Sequence, residues 1–173
     1  MKTLKNGAVF DRSGRYRYKL WRQWDDALPH TAFLMLNPSK ADAEKNDQTI
    51  RTCIGMAARF GFGSLEVVNL FAFCATYPEE LRAAKNPVGK LNDRYIVDAV
   101  SKADRIILAW GNHGDILGRS KEVLDLLSPY RLNLVCLGTT KSGQPRHPLY
   151  VPATTLLRPY FNCVDESQTV CLS

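Results

Sequence analysis

Short apolar runs separated by polar turns are the main pattern along the chain. The runs FLML, LEVVNLF, RIILAW and LNLVCL have the length of strands, and the first has the composition of a fully buried one. β-Branched residues enrich the second run, which also favours a strand. These runs predict core strands at residues 32–36, 65–71, 105–110 and 132–137.

Helical patterns lie between these runs. Residues 48–60 carry apolar side chains at helical spacing, and Asp47 is the predicted N-cap. Glycines follow this segment and are expected to end the helix. Further helices are predicted at residues 92–102 and 116–127, with shorter ones that begin at Pro78 and span residues 153–160.

Strands that alternate with helices predict right-handed crossovers and a parallel sheet. We expect an α/β fold, a three-layer α/β/α sandwich around a four-stranded, mainly parallel sheet. Residues 7–24 precede it and are predicted to form an N-terminal β-hairpin that turns at residues 11–14. The chain, residues 1–173, is expected to be a single domain with a core at about 30–160 and a flexible tail at 162–173.

The composition is that of an ordinary globular protein. Apolar residues make up 45% of the chain, and no apolar run approaches the roughly 20 residues that span a bilayer. The N-terminus lacks a signal-peptide core, so we expect a cytoplasmic protein without a membrane partner. The five cysteines are odd in number and lack Cys-x-x-Cys spacing, which indicates neither a disulfide framework nor a zinc site.

The net charge of +6 favours polyanionic partners. Much of the excess lies in the N-terminal arm, where Arg15, Arg17, Lys19 and Arg22 are interleaved with tyrosine and tryptophan. Basic side chains contact phosphates and aromatic faces stack on bases, so the arm suits a nucleic-acid surface. The alternative is an edge strand with a solvated basic face, because period-two alternation separates the basic residues from the tyrosines and Leu20.

Each predicted core strand ends in a polar cluster. Parallel strands end at one edge of a sheet, where open α/β proteins bind their ligands. Asn37, Asn69, His113, Lys141 and His147 are therefore expected to converge although they are far apart in sequence. Amides, imidazoles and a lysine around one pocket suit the binding and polarisation of a polar ligand.

Several of these residues also have a structural interpretation. Asn37 before a proline suits a turn, Asn69 suits a buried hydrogen bond, and His113 between glycines suits a surface turn. In the acidic loop after the first core strand, helix capping competes with a role in the site. We favour Asp47 as the cap and Asp42 as the site residue.

The common cofactor and hydrolase signatures are missing from the chain. Its glycines match neither G-x-G-x-x-G after a strand nor the Walker pattern, so no nucleotide cofactor is predicted. The acidic loop and His113 lack the spacing of a metal site, and no metal is predicted. The G-x-S-x-G motif of serine hydrolases is absent.

Five groups of motifs follow one another along the chain. They are LNPSxAD followed by DxT, VVNLF, PVG followed by ND, AWGxHG and LGxTxxGxPRHPLY. These motifs resemble a bacterial and phage family of small domains known only as a domain of unknown function. The resemblance covers about residues 7–152, and membership by itself implies no activity.

The chain is also similar, more distantly, to the uracil-DNA glycosylase superfamily, which has a parallel four-stranded α/β/α sandwich. In its mismatch-specific branch, the Asn of a Gly-Ile-Asn-Pro-Gly loop positions the attacking water, and the similar LNPS at 36–39 gives Asn37 that role. A late His-Pro-Ser-Pro motif places an imidazole near the base's carbonyl oxygen, and the similar RHPL at 146–149 gives His147 that role. The glycines of the first motif are missing, and Leu149 replaces the serine.

This resemblance implies cleavage of an N-glycosidic bond. An imidazole stabilises the departing base, and an amide or carboxylate holds the water, which names Asn37, Asp42 and His147 as catalytic. The base must leave the nucleic-acid stack, and Phe71 or Phe73 is expected to supply an aromatic wall. The other expected ligand contacts are Ser39, Asp47, Asn69, His113, Lys141 and Arg146.

Three functions follow from these observations. The first is a DNA glycosylase-like enzyme for an uncommon or modified base, with DNA as partner. The second is a hydrolase or transferase for a free nucleotide or nucleoside, because the acidic loop at 42–47 repels a phosphodiester backbone but suits a ribose or a metal. The third is a non-catalytic nucleic-acid-binding module that uses the basic aromatic arm at 12–24.

Overall fold

A seven-stranded mixed sheet forms the centre of the protein. The computed structural model describes residues 5–39 and 41–161. The strands are β1 (Lys5–Phe10), β2 (Arg17–Gln23), β3 (His30–Met35), β4 (Ser64–Asn69), β5 (Arg105–Leu108), β6 (Leu134–Cys136) and β7 (Arg158–Pro159). Their order across the sheet is β1-β2-β4-β3-β5-β6-β7.

Helices fill most of the connections between the strands. The α-helices are α1 (Gln48–Arg59), α2 (Pro78–Ala83), α3 (Asn92–Lys102) and α4 (Arg119–Leu126), and the 3₁₀ segments are Asn112–Gly118, Ser128–Asn133 and Pro148–Tyr150. The predicted cap of α1 is confirmed, because Asp47 Oδ1 accepts from the Ile50 N–H at 2.9 Å. No helix within the described ranges combines the length and apolar character needed to cross a membrane.

The sheet is larger than the four strands predicted. β3 pairs in parallel with β4 and β5, and β5 pairs in parallel with β6. The hairpin β1–β2 joins one edge of the sheet through β4, and β7 joins the other edge through β6, all by antiparallel pairing. The α/β class is confirmed, in the form of a mixed sheet.

The helix predicted at residues 153–160 is wrong. Arg158 and Pro159 instead form β7 and pair with Cys136 and Val135 of β6. A proline inside a helix lacks the N–H that the helix requires, whereas an edge strand tolerates it. The tail at 162–173, for which flexibility was predicted, lies outside the described residues.

Apolar side chains cover both faces of the sheet. Along β3, Ala32 and Leu34 join an apolar cluster that contains residues of α3 and α4. Phe33 and Met35 join a second cluster that contains the apolar face of α1. Because successive strand residues point to opposite faces, these helices lie on opposite sides of the sheet. This burial on both faces explains why β3 reads as a continuous apolar run.

A β-bulge interrupts the alternation of β2. Val9 of β1 pairs with Lys19, but the next residue, Phe10, pairs with Arg17, so Tyr18 is an extra residue on the bulged strand. A bulge of this kind turns the side chains on either side of it relative to a regular strand.

The bulge separates the side chains that the sequence placed together. Lys19 lies on the α3 side of the sheet, where its Nζ is 3.7 Å from Asp98 Oδ2, and Tyr18 stacks on Tyr95 of α3 at 5.0 Å. Arg17 instead donates from Nη1 to the Ala41 carbonyl, in the loop that precedes α1. The predicted basic face of Arg15, Arg17 and Lys19 is therefore wrong.

Two buried polar side chains hold the carboxyl end of β4. Asn92 Nδ2 donates to the carbonyls of Asn69 and Leu70 at 2.9 and 3.0 Å, and Arg119 Nε donates to the Leu70 carbonyl at 2.9 Å. Arg119 also pairs with Asp93 of α3. These contacts fix the backbone where the strand ends and so position the Asn69 side chain.

We predict that Asn92→Ala lowers the free energy of unfolding by about 2 kcal/mol, because it leaves a buried carbonyl without its donor. Urea denaturation measures this change. The half-buried Asn133 provides a matched control, and Asn133→Ala should change the unfolding free energy by less than about 0.5 kcal/mol. Equal denaturation midpoints for the two variants would contradict the role given to Asn92.

Candidate functional site

A cleft of about 900 Å³ lies at the carboxyl ends of the parallel strands. Segments that follow β3, β4, β5 and β6 all contribute to its wall. Open α/β sheets bind their ligands at this edge. The volume lies within the range of about 300–1,000 Å³ that is typical of small-molecule pockets.

Most of the site residues predicted from sequence meet in this cleft. Asn37 and His147, which are far apart in sequence, line the same cavity. The other predicted residues that line it are Ser39, Asp47, Asn69, His113, Lys141 and Arg146. Arg17, which was assigned to a nucleic-acid surface, also lines the cleft.

Asp42 is not among the residues that line the cleft. Its Oδ1 accepts the backbone N–H groups of Lys45 and Glu44 at 2.7 and 2.8 Å. These two hydrogen bonds, with Lys45 the stronger influence, hold the pKa of Asp42 below its usual value. The carboxylate therefore stabilises the turn before α1, and we leave it out of the proposed catalytic groups.

The aromatic residues of the cleft differ from those predicted. Phe71 is fully buried in the apolar core, and neither Phe71 nor Phe73 lines the cavity. Trp110 and Tyr150 line it instead, and the Tyr150 ring lies 5.5 Å from the His147 ring. Their positions carried a signal in the sequence, because Trp110 ends the third core run and Tyr150 follows the His-Pro pair.

The N-terminal arm does not present a basic surface as predicted. Only 3% of Arg17 and 1% of Arg22 is exposed. Arg22 is held by Asn46 Oδ1 and by the Asp42 carbonyl, which accept from its guanidinium at 2.8 and 2.7 Å. The loop before α1 thus covers these side chains, a long-range contact that strand periodicity does not reveal.

The other basic residues of the arm have neighbours within the protein. Lys19 Nζ pairs with Glu66 Oε1 at 3.2 Å, so this charge is partly neutralised. Arg15 remains exposed, with its guanidinium 5.5 Å from the centre of the Phe73 ring. Of the four basic residues predicted to contact nucleic acid, Arg15 alone is an exposed cation.

The Asn37 amide is fixed by two backbone carbonyls. Its Nδ2 donates to the Ala75 carbonyl at 2.7 Å and to the Pro38 carbonyl at 2.9 Å. Two acceptors on one side of the amide define which atom is nitrogen. Both donor positions are therefore used within the protein, and Oδ1 is left as an acceptor in the half-buried side chain.

The His147 imidazole is held in one tautomer. Its Nδ1 accepts the Leu149 backbone N–H at 3.2 Å, so the neutral ring carries its proton on Nε2. Burial lowers the pKa of His147, and the Asp47 carboxylate opposes this shift. The ring is therefore neutral near pH 7 and can donate a hydrogen bond from Nε2.

A network of hydrogen bonds ties the His147 loop to the end of β5. Trp110 Nε1 donates to Gln144 Oε1 at 2.6 Å, and the Gly111 N–H donates to the Pro145 carbonyl at 2.8 Å. A Cβ on Gly114 would lie only 2.0 Å from the Trp110 ring, so this turn requires glycine there. The two motif segments are thus fixed against each other.

The charged side chains that line the cleft are mostly cationic. Arg17, Lys141 and Arg146 face a single carboxylate, that of Asp47, which also caps α1. This balance favours an anionic ligand. Within the described part of the chain, no three His, Cys, Asp or Glu side chains group together as metal ligands would.

We predict that NMR titration of His147 gives a pKa below 6.5, with Nδ1 unprotonated in the neutral ring. Because the unfolded chain then binds more protons than the folded one, stability should fall as the pH drops through about 6.5. His147→Gln should reduce this loss of stability at low pH. A proton on Nδ1, seen in long-range ¹⁵N–¹H spectra, would contradict the assignment.

Comparison with known proteins identifies the family of the chain. Residues 17–149 match the model of a family described as "Protein of unknown function (DUF1643)". No curated protein and no solved structure gives a significant match. The matched range runs from the start of β2 past His147 and contains every residue that lines the cleft except Tyr150. Because this match covers most of its length, the chain belongs to the DUF1643 family, in agreement with the domain-of-unknown-function family expected from its motifs.

Proposed function

We propose that the cleft hydrolyses an N-glycosidic bond and that Asn37 and His147 carry the reaction. One observation supports this proposal above the others. An amide whose nitrogen is fixed by two carbonyls shares the cavity with an imidazole whose proton is on Nε2. The amide oxygen suits a nucleophilic water, and the Nε2–H suits a carbonyl oxygen of the departing base.

In the proposed reaction, Asn37 Oδ1 accepts a hydrogen bond from water and orients its oxygen toward C1′ of the sugar. The new C1′–O bond forms as the C1′–N bond breaks, and the electron pair of that bond moves to the base. The His147 Nε2–H stabilises the resulting charge on the base oxygen. The water loses a proton, which the departing base takes up through solvent.

A neutral imidazole suits this role. The lowered pKa of His147 keeps the ring uncharged near pH 7, so it donates a hydrogen bond without first losing a proton to solvent. Tyr150, which is exposed at the cleft, provides an aromatic surface for a base that has left its stack. Asn37 follows the first strand of the parallel part of the sheet, as the corresponding Asn does in the uracil-DNA glycosylase superfamily, which supports this choice of chemistry.

Two classes of substrate suit this chemistry. A modified base in DNA is the first, by similarity to the glycosylases. A free nucleotide or nucleoside is the second, and the burial of Arg17 and Arg22 favours it, because these residues cannot contact a DNA backbone outside the cleft. The same observation removes most of the support for a non-catalytic nucleic-acid-binding module.

We expect Asn37→Ala and His147→Ala each to lower hydrolysis by about 10²-fold or more, the effect of removing one preorganised electrostatic group. The substrates are oligonucleotides that carry uncommon bases, with alkaline cleavage at abasic sites as readout, and the corresponding nucleotides, with release of free base as readout.

His30→Gln is the matched control for these variants. His30 is a partly buried imidazole at the amino end of β3, on the opposite edge of the sheet, so activity should stay within about twofold of wild type. Wild-type turnover by both site variants, at unchanged melting temperature, would refute the roles of Asn37 and His147.

The salt dependence of DNA binding separates the two substrates. If the substrate is a free nucleotide, the slope of log K against log salt should be shallower than about −3, because few phosphates meet exposed cations. Arg15→Gln should then change the slope by no more than about one unit. Fluorescence anisotropy with single- and double-stranded oligonucleotides measures both quantities, and a steeper slope that depends on Arg15 would favour DNA.

A further inference from the structure

Three arginines are buried in the described part of the chain, and two of them have partners at every guanidinium nitrogen. The donors of Arg22 are taken by oxygen atoms of Asn46, Gly7, Trp21 and Asp42. The donors of Arg119 are taken by Leu70, Glu122 and Asp93. Both residues therefore hold elements of the fold together.

Arg17 differs from these two. Its Nη1 donates to the Ala41 carbonyl, but its buried Nε has no hydrogen-bond partner. Within the described ranges, no carboxylate lies close enough to form an ion pair with it. Burial lowers the pKa of Arg17. A buried charge without an opposite charge beside it is destabilising, so proteins rarely keep one without a use.

The β-bulge at Tyr18 places this charge at the cleft. It turns Arg17 away from α3 and toward the loop before α1, and the side chain lines the cavity. Without the extra residue, Arg17 would share the face of Lys19, which contacts Asp98 of α3. The bulge thus determines that the guanidinium faces the ligand cavity and not α3.

Asn69 contributes a second unpaired donor on the neighbouring strand. It is 1% exposed, lines the cleft, and its Nδ2 has no hydrogen-bond partner. Val67 lies in the apolar cluster on the α1 side, so Asn69, two residues later, faces that side too. Glu66 and Asn92 also have buried unpaired atoms, but these are oxygens and neither residue lines the cleft.

The surroundings of these two donors favour an anion. The first turn of α1 lies at the cleft through Thr49 and Ile50, and the amino end of a helix carries partial positive charge. Lys141 and Arg146 add cationic side chains to the same cavity. A planar guanidinium matches the oxygen atoms of a phosphate group especially well.

We propose that Arg17 and Asn69 form an oxyanion-binding subsite in the cleft and that it accepts a phosphate group of the ligand. The two unpaired donors by themselves support an oxyanion subsite, whatever reaction the cleft catalyses. Its assignment to phosphate rests on the proposed function, which requires a nucleotide or polynucleotide substrate. The phosphate-binding function extends the role of the N-terminal hairpin, because β2 then supplies part of the site.

Calorimetric titration with ribose 5-phosphate, ribose and inorganic phosphate tests this subsite without turnover. Wild-type protein should bind ribose 5-phosphate more tightly than ribose, and inorganic phosphate should compete. Arg17→Gln should weaken ribose 5-phosphate binding at least tenfold, and Asn69→Ala should weaken it by a smaller factor. Arg82→Gln, on the exposed side of α2, is the control and should leave the affinity unchanged.

A structural role for Arg17 gives a different result. If the guanidinium served only the fold, Arg17→Gln would lower the melting temperature as much as Arg119→Gln does. Wild type and Arg17→Gln would then bind phosphate with equal affinity. We expect Arg17→Gln to stay close to wild type in melting temperature and to lose the stabilisation that phosphate gives the wild type. Equal phosphate affinity of wild type and folded Arg17→Gln would overturn the subsite.

Two further measurements keep the test independent of that variant and of catalysis. Addition of phosphate, but not of chloride at equal ionic strength, should shift the wild-type Arg17 Nε–H resonance, and an unchanged resonance would overturn the proposal. The affinities of wild type and Arg17→Gln for inorganic phosphate are measured without any substrate, so failure of the hydrolysis proposal would leave the subsite intact. Tighter binding of acetate than of phosphate would overturn the assignment to phosphate.

A comparison of two ligands then identifies the source of the phosphate group. Tighter binding of a short single-stranded oligonucleotide than of ribose 5-phosphate supports the subsite with a polynucleotide as ligand. The reverse order supports it with a free nucleotide as ligand. In both cases the binding should depend on Arg17, and binding of either ligand that is indifferent to Arg17→Gln would count against the subsite.

Discussion

The common direction of β3, β4, β5 and β6 is the constraint on which the site depends. Parallel pairing brings the carboxyl ends of these strands to one edge of the sheet. The segments that follow these four strands therefore lie side by side and together enclose a cleft. The apolar clusters on both faces maintain this arrangement, because they bury the sheet under helices on either side.

Backbone groups fix the polar side chains of the cleft. Carbonyls take both donors of the Asn37 amide, and a backbone N–H selects the tautomer of His147. These bonds are made within the protein, so each group is oriented before any ligand binds. Preorganisation of this kind is the means by which a site stabilises charge that develops in a reaction.

Buried arginines serve two different purposes in this protein. Arg22 and Arg119 have oxygen partners on all their nitrogen atoms, and they join loops and helices to strand ends. Arg17 is as deeply buried but has fewer partners, and it lies where the cleft meets β2. Hydrogen-bond partners therefore separate a structural arginine from one with donors left over, whereas burial alone does not.

Local patterns in the sequence determined the elements and much of the cleft. Apolar runs located the core strands, Asp47 was correctly identified as a helix cap, and most of the polar residues predicted at the site line one cleft. These features depend on neighbours within a few residues or on the common direction of parallel strands, which alternation with helices predicts.

Only the tertiary structure decided how the N-terminal hairpin and the segment at 158–159 are arranged. A one-residue bulge put Arg17 and Lys19 of β2 on opposite faces of the sheet, the loop before α1 covered Arg22, and pairing with β6 made residues 158–159 a strand. Each of these outcomes depends on contacts between residues distant in sequence. Such contacts leave no periodic signal in the chain, because the partner that decides the conformation of a segment lies in another element.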